Sequence, residues 1–122
     1  MLLVDTPLPK GKKTNVQPYK GRGWCVMERK ASGLVKDNWA LISLKGLTGK
    51  EKNLYEVRSH GKAAREPPMA PAAFKAMLEA GVASGAIKFT NRGDVGVVVT
   101  IYCKAFAAEM AAVVKLRYFD LR

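Results

Sequence analysis

Apolar and polar positions alternate with a period of two over several short stretches of this chain, the pattern of half-buried strands. Trp24, Val26 and Glu28 alternate with Cys25, Met27 and Arg29, and Ser32-Gly33 would end that strand. Residues 39–45 place Ala40, Ile42 and Leu44 on one face and Trp39, Leu41 and Ser43 on the other. Residues 53–59 set Tyr55 and Val57 against Glu56 and Arg58. A different period begins at Pro71. Phe74, Met77, Leu78, Gly81 and Val82 fall at helical spacing, Pro71 suits a first helical position and Gly85 a C-terminal cap, so a helix is predicted over 71–84.

Alternation resumes after that helix. Ile87 and Phe89 alternate with Lys88 and Thr90, Asn91-Arg92-Gly93-Asp94 reads as a turn with Gly93 free to take positive φ, and 97–104 alternates again with both faces largely apolar. The pattern predicts a hairpin over 87–104 whose second strand is central. Residues 105–113 are alanine-rich, with Phe106, Met110 and Val113 at helical spacing, and Val114, Leu116 and Tyr118 then alternate with Lys115 and Arg117. A short helix and a final strand satisfy both. A short strand at 2–5 is a further candidate in an otherwise irregular start, where Pro7, Pro9, Pro18, Gly11, Gly21 and Gly23 act as breakers.

The expected fold class is α+β: one small β-rich domain over 24–122, in β-β-β-α-β-β order, preceded by a flexible basic arm over 1–23. Over residues 24–104 this order resembles the OB-fold, a five-stranded barrel with its helix between the third and fourth strands. The resemblance lies in element order alone. It implies a ligand face on the second and third strands and their loops, which carry Trp39, Lys45, Lys50, Lys52, Tyr55 and Arg58.

Charge changes the picture from fold to partner. The formal net charge is +11 over 122 residues, a balance that favours a polyanion, nucleic acid first. It is unevenly spread: residues 1–65 carry 14 Lys/Arg against 5 Asp/Glu, and residues 66–122 carry 7 against 5. Within the first half, Lys10, Lys12, Lys13, Lys20 and Arg22 lie in a stretch that no acidic residue interrupts, with aromatics at Tyr19 and Trp24. Lysine and arginine would track phosphates, and Tyr19, Trp24, Trp39 and Tyr55 are the candidates for stacking on unpaired bases. Trp24 sits where the arm meets the first strand, so it can equally anchor the arm to the core.

Other chemistry is poorly supported. Gly46-Leu47-Thr48-Gly49-Lys50 has two residues between its glycines, where a Walker A loop has four, and Glu51 follows the lysine, so nucleotide hydrolysis is not expected. His60 is the single histidine and two cysteines, Cys25 and Cys103, lie far apart in the chain, so no metal-ligand cluster is spaced for binding and no cofactor is expected. Carboxylates are scattered without a pair suited to acid–base work. Arg92-Gly93-Asp94 reads as a turn. The longest apolar windows are broken by Thr100, Lys104 and Glu109, so no transmembrane span and no membrane partner are expected. The expected protein is therefore a cytoplasmic, non-enzymatic nucleic-acid-binding homo-oligomer that prefers single strands. A self-assembling coat or nucleoprotein subunit, and a duplex-DNA regulator with helix 71–84 and hairpin 87–104 as recognition helix and wing, are the alternatives.

Overall fold

The computed structural model describes residues 2–3, 17–36, 40–63 and 66–120. It is mostly helical, and this overturns the β-rich, OB-like expectation. Among the described residues four helices run in chain order: α1 (Gly23–Val35), α2 (Leu54–His60), α3 (Pro71–Ala83) and α4 (Asp94–Asp120). Among the described residues the extended pairing amounts to a two-residue parallel contact, β1 (Leu2–Leu3) beside β2 (Ile42–Ser43), and two isolated bridges, Arg22 with Lys88 and Ile42 with Lys62, too little to form a barrel wall. Single 3-10 turns occupy Tyr19–Gly21 and Leu44–Gly46.

Helix α4 is the element that α1 and α3 pack on. It is 27 residues long, about 40 Å at 1.5 Å per residue, and it contacts both α1 and α3. The core joins Met27 and Leu34 of α1, Phe74 and Leu78 of α3, Ile87 of the connection, and Val98 and Tyr102 of α4. Phe74 and Tyr102 stack with ring centroids 4.0 Å apart and planes inclined by 24°. The Tyr102 hydroxyl donates to the Met69 carbonyl at 2.8 Å, so its one polar atom is satisfied at the edge of the core.

Each corrected element has a physical reason. The strand read from Trp24 to Arg29 is the first half of α1. Its six-residue alternation hid a longer stripe: Gly23, Met27 and Leu34, with Val26 and Ala31 beside them, repeat at three- and four-residue intervals and face the core. The strand read at 39–45 shrinks to β2, with Ala40 and Leu41 before it and the Leu44–Gly46 turn after it. The strand read at 53–59 is α2. Asn53 caps it by accepting the Glu56 N–H at 2.9 Å, and the Glu56 carboxylate reaches back to the Lys52 N–H at 2.9 Å.

The hairpin over 87–104 does not form, and with it goes the wing of the duplex regulator. Residues 86–93 make a connection instead, and Val97 to Lys104 belong to α4. Its start is set by Asn91, whose side-chain oxygen accepts the Gly93 N–H and whose carbonyl accepts the Asp94 N–H, at 3.0 and 3.2 Å. Gly93 does not use positive φ; Gly49 and Gly85 do, at 78° and 75°. The short helix and final strand expected after 104 are one continuous helix with the preceding segment. The helix expected over 71–84 is present as Pro71–Ala83, with Pro71 in its first turn and Gly85 just beyond its end.

Joining 97–104 to the alanine-rich segment also corrects the expectation about apolar length. Asp94–Val113 is long and apolar enough to cross a membrane by length and composition, with a mean hydropathy of 1.5, and 11% of its apolar window is buried in this fold. Val97 and Ile101 are exposed on the side of α4 away from the core.

Candidate nucleic-acid interface

The predicted site residues fall into two places. Lys10, Lys12, Lys13 and Trp39 lie outside the described residues. Tyr19, Lys20, Arg22 and Trp24 gather where the chain enters α1. Lys45, Lys50, Lys52, Tyr55 and Arg58 lie together in the 44–60 segment, on loop and α2 rather than on a sheet.

At the first place the side chains are largely engaged in structure. The backbone at 21–23 docks on the connection after α3: Lys88 N–H donates to the Gly21 carbonyl at 2.8 Å, and Gly23 N–H to the Lys88 carbonyl at 3.0 Å. The Arg22 Nε donates to the Gln17 carbonyl at 2.7 Å. The Trp24 indole N–H donates to the Asp94 carboxylate at 2.9 Å, tying the start of α1 to the start of α4. Trp24 is thus tied by its indole edge to α4, while 38% of its surface stays exposed. Tyr19 is half-buried. Burial pushes its hydroxyl above the ordinary value, and the neighbouring Cys25 and Glu28 add to the shift. Lys20 is exposed.

Two cations that the sequence reading passed over sit beside this place. Arg29 and Lys30 of α1 both pair with Glu66, Arg29 through its Nε at 3.0 Å. The Lys30 hydrogen bond, reinforced by the charges of Arg29 and Lys20, holds the Glu66 carboxyl below the usual range although partial burial opposes it. Their spacing in sequence, 36 residues from Lys30 to Glu66, left no local signal.

The second place is organised around its two acids. Glu51 accepts the Thr48 N–H at 2.8 Å, the Thr48 hydroxyl at 2.9 Å and the Gly49 N–H at 2.9 Å. His60 Nδ1 lies 3.1 Å from the same carboxylate. These bonds, the Thr48 amide first and His60 next, hold its pKa at about 2. The glycine loop therefore does cradle an anion, but the anion is the chain's own Glu51. Glu56 is committed in the same way to the start of α2. Both acids are turned onto backbone amides, and the exposed cations of the segment are Lys45, Lys50, Lys52, Arg58 and, unnoticed in sequence, Lys62. Tyr55 stands among them, 80% exposed in the first turn of α2.

The segment also closes on itself. Ser43 N–H donates to the Gly61 carbonyl at 2.7 Å, and Ala63 N–H to the Leu41 carbonyl at 3.3 Å, so its two ends run side by side. Gly46 and Gly61 are required by this closure. A Cβ on Gly46 would lie 2.4 Å from the His60 carbonyl oxygen, and one on Gly61 2.8 Å from the Val57 oxygen.

Among the described residues no group of His, Cys, Asp and Glu is placed to hold a metal ion. Cys25 and Cys103 are both free thiols and partly buried. Burial raises the Cys25 thiol above its ordinary value, with Glu28 adding to it, which favours the protonated thiol. No family model matches the chain, and neither a curated protein nor a solved structure is similar enough to be matched to it.

Proposed function

We propose that this protein binds nucleic acid without catalysis, prefers single strands, and uses the 44–62 segment as the folded part of its binding surface. The carrying observation is Tyr55, a large aromatic 80% exposed between lysines whose neighbouring acids are taken up by backbone amides. Phosphates would lie along Lys45, Lys50, Lys52, Arg58 and Lys62, and an unpaired base would stack on the Tyr55 ring. Lys10, Lys12 and Lys13, with Lys20, extend the basic surface in sequence. The net charge of +11 supports a polyanion partner. The OB-type sheet face has no place in this reading, and Trp24, partly exposed with its indole N–H held by Asp94, is a secondary stacking candidate at the start of α1.

The test is a titration of labelled oligonucleotides against salt, with the Lys50→Glu/Lys52→Glu variant beside the parent chain. Affinity should fall steeply with salt, and the variant should lower the slope of log K against log salt by about 2, one per lost phosphate contact. Binding that ignores salt, or a variant indistinguishable from the parent, rules the segment out. Competition by duplex as effective as by single strand removes the strand preference.

A further inference from the structure

A half-open cavity of about 470 Å³ lies between the end of α3, the connection after it and the first turn of α4. Val82, Ile87, Phe89 and Val95 supply an apolar wall, and Lys88 and Arg92 complete the lining. Both cations are exposed, so their charges stand at the rim. Among the described residues no carboxylate lines the cavity. Among the described residues neither Lys88 nor Arg92 forms an ion pair.

The wall is fixed from several sides. Gly85 holds φ at 75°, and its carbonyl accepts Gln17 Nε2 at 3.1 Å. Ile87 N–H donates to the Gly81 carbonyl and Lys88 N–H to the Gly21 carbonyl, both at 2.8 Å. The Phe89 ring rests on Gly23, where a Cβ would come within 2.0 Å of it. A ligand entering here meets a surface already in place and has little ordering to supply.

We propose that this cavity binds a medium-chain acyl carboxylate, its chain along Val82, Ile87, Phe89 and Val95 and its carboxylate between Lys88 and Arg92. The size falls within the range of small-ligand sites, and the apolar wall with a cationic rim matches a molecule of the same polarity. A guanidinium and an ammonium lining one cavity suit a carboxylate, which can take two parallel N–H bonds from the arginine. A nucleobase suits the site poorly. The apolar wall side chains offer no donor or acceptor to its edge, and a polar edge buried without partners is costly. A bare phosphate would leave the wall uncovered. The site is separate from the 44–62 segment and stands whether or not that segment binds nucleic acid.

The experiment titrates the full chain with octanoate, octanol, octyltrimethylammonium and thymidine monophosphate, by calorimetry and by amide chemical shifts. Octanoate should bind and move amides within 82–95, with octanol about tenfold weaker and the ammonium weaker still. Lys88→Gln/Arg92→Gln should bring octanoate down to the level of octanol. Val82→Trp, which fills the mouth from a partly exposed position, should weaken both. Should that second variant fail to fold, the first still decides, because both of its side chains are exposed. Equal affinity for octanoate and octanol overturns the proposal. So do tighter binding of thymidine monophosphate, equal competition by the ammonium, or no shifts within 82–95.

Discussion

Helices α1, α3 and α4, with Ile87 of the connection before α4, share seven buried apolar residues as one core, whereas the 40–63 segment buries Leu41 alone among its large side chains and closes on hydrogen bonds. The first region is held by burial and ring packing, without a buried charged or polar side chain among the described residues. The second is held by Glu51, Glu56 and Asn53 bonding to backbone amides, and by its two ends pairing. Burial costs nothing in specificity when the surface is apolar, but a binding surface must keep its charges in water. The division lets α1, α3 and α4 carry stability while the 40–63 segment presents lysines. The same economy makes that segment the softer one, because few buried apolar contacts and exposed hydrogen bonds mean a low free energy of local opening.

The largest effect should come from the core. Phe74→Ala removes one partner of the ring stack from a fully buried site and should cost about 3–5 kcal/mol in urea unfolding. A loss under about 1 kcal/mol would mean that the two regions are not divided as described. Next is Tyr55→Ala, which should weaken single-strand binding by about 1–3 kcal/mol and leave unfolding within about 0.5 kcal/mol of the parent. Lost stability with unchanged affinity would reverse the roles assigned to the two regions. A smaller effect belongs to Tyr102→Phe, which keeps the stack but leaves the Met69 carbonyl without its donor; thermal unfolding should register about 1 kcal/mol.

The smallest effect separates the regions by pH. The folded pKa of Glu51, about 2, lies below its ordinary 4.5, so its contribution is complete above about 4.5 and is lost as pH falls toward 2. Hydrogen-exchange protection of the Thr48 and Gly49 amides should fall through that window, while amides around Val98 keep theirs. Glu51→Gln should remove the dependence. Equal acid sensitivity in parent and variant would show that the carboxylate does not hold the loop.

Helix α3 was legible because its signals are local: a proline at the start, a glycine at the end and a stripe between. Helix α2 was legible in principle. Asn53 and Glu56 stand three apart, the spacing of a capping box, and that signal outweighs the two-residue alternation of Tyr55 and Val57. Residues 97–101 misled for a stronger reason. Three valines, a threonine and an isoleucine favour strands as a local run, and an all-apolar run has no period to read. The deciding facts lie elsewhere: Phe74 and Leu78 need Val98 and Tyr102 against them, and the alanine-rich segment extends the helix beyond 104. Of the candidate interface, that Lys45, Lys50, Lys52 and Arg58 are exposed cations could be read, because charged side chains seldom go inside. The occupation of the glycine loop by Glu51 and the tethering of Trp24 by Asp94 could not, because each depends on where another part of the backbone arrives.

The placement of Val98 and Tyr102 bears on how the chain matures during synthesis. A nascent chain that has reached residue 93 has made Met27, Leu34, Phe74 and Leu78 but none of the side chains from α4 that cover them. Those four would be left open to solvent or to chaperones until the next nine residues emerge, a span that ends with Tyr102. The protein cannot mature vectorially from its first helix; α4 acts as a keystone, and the 40–63 segment, whose bonds are short-range, can close before it arrives.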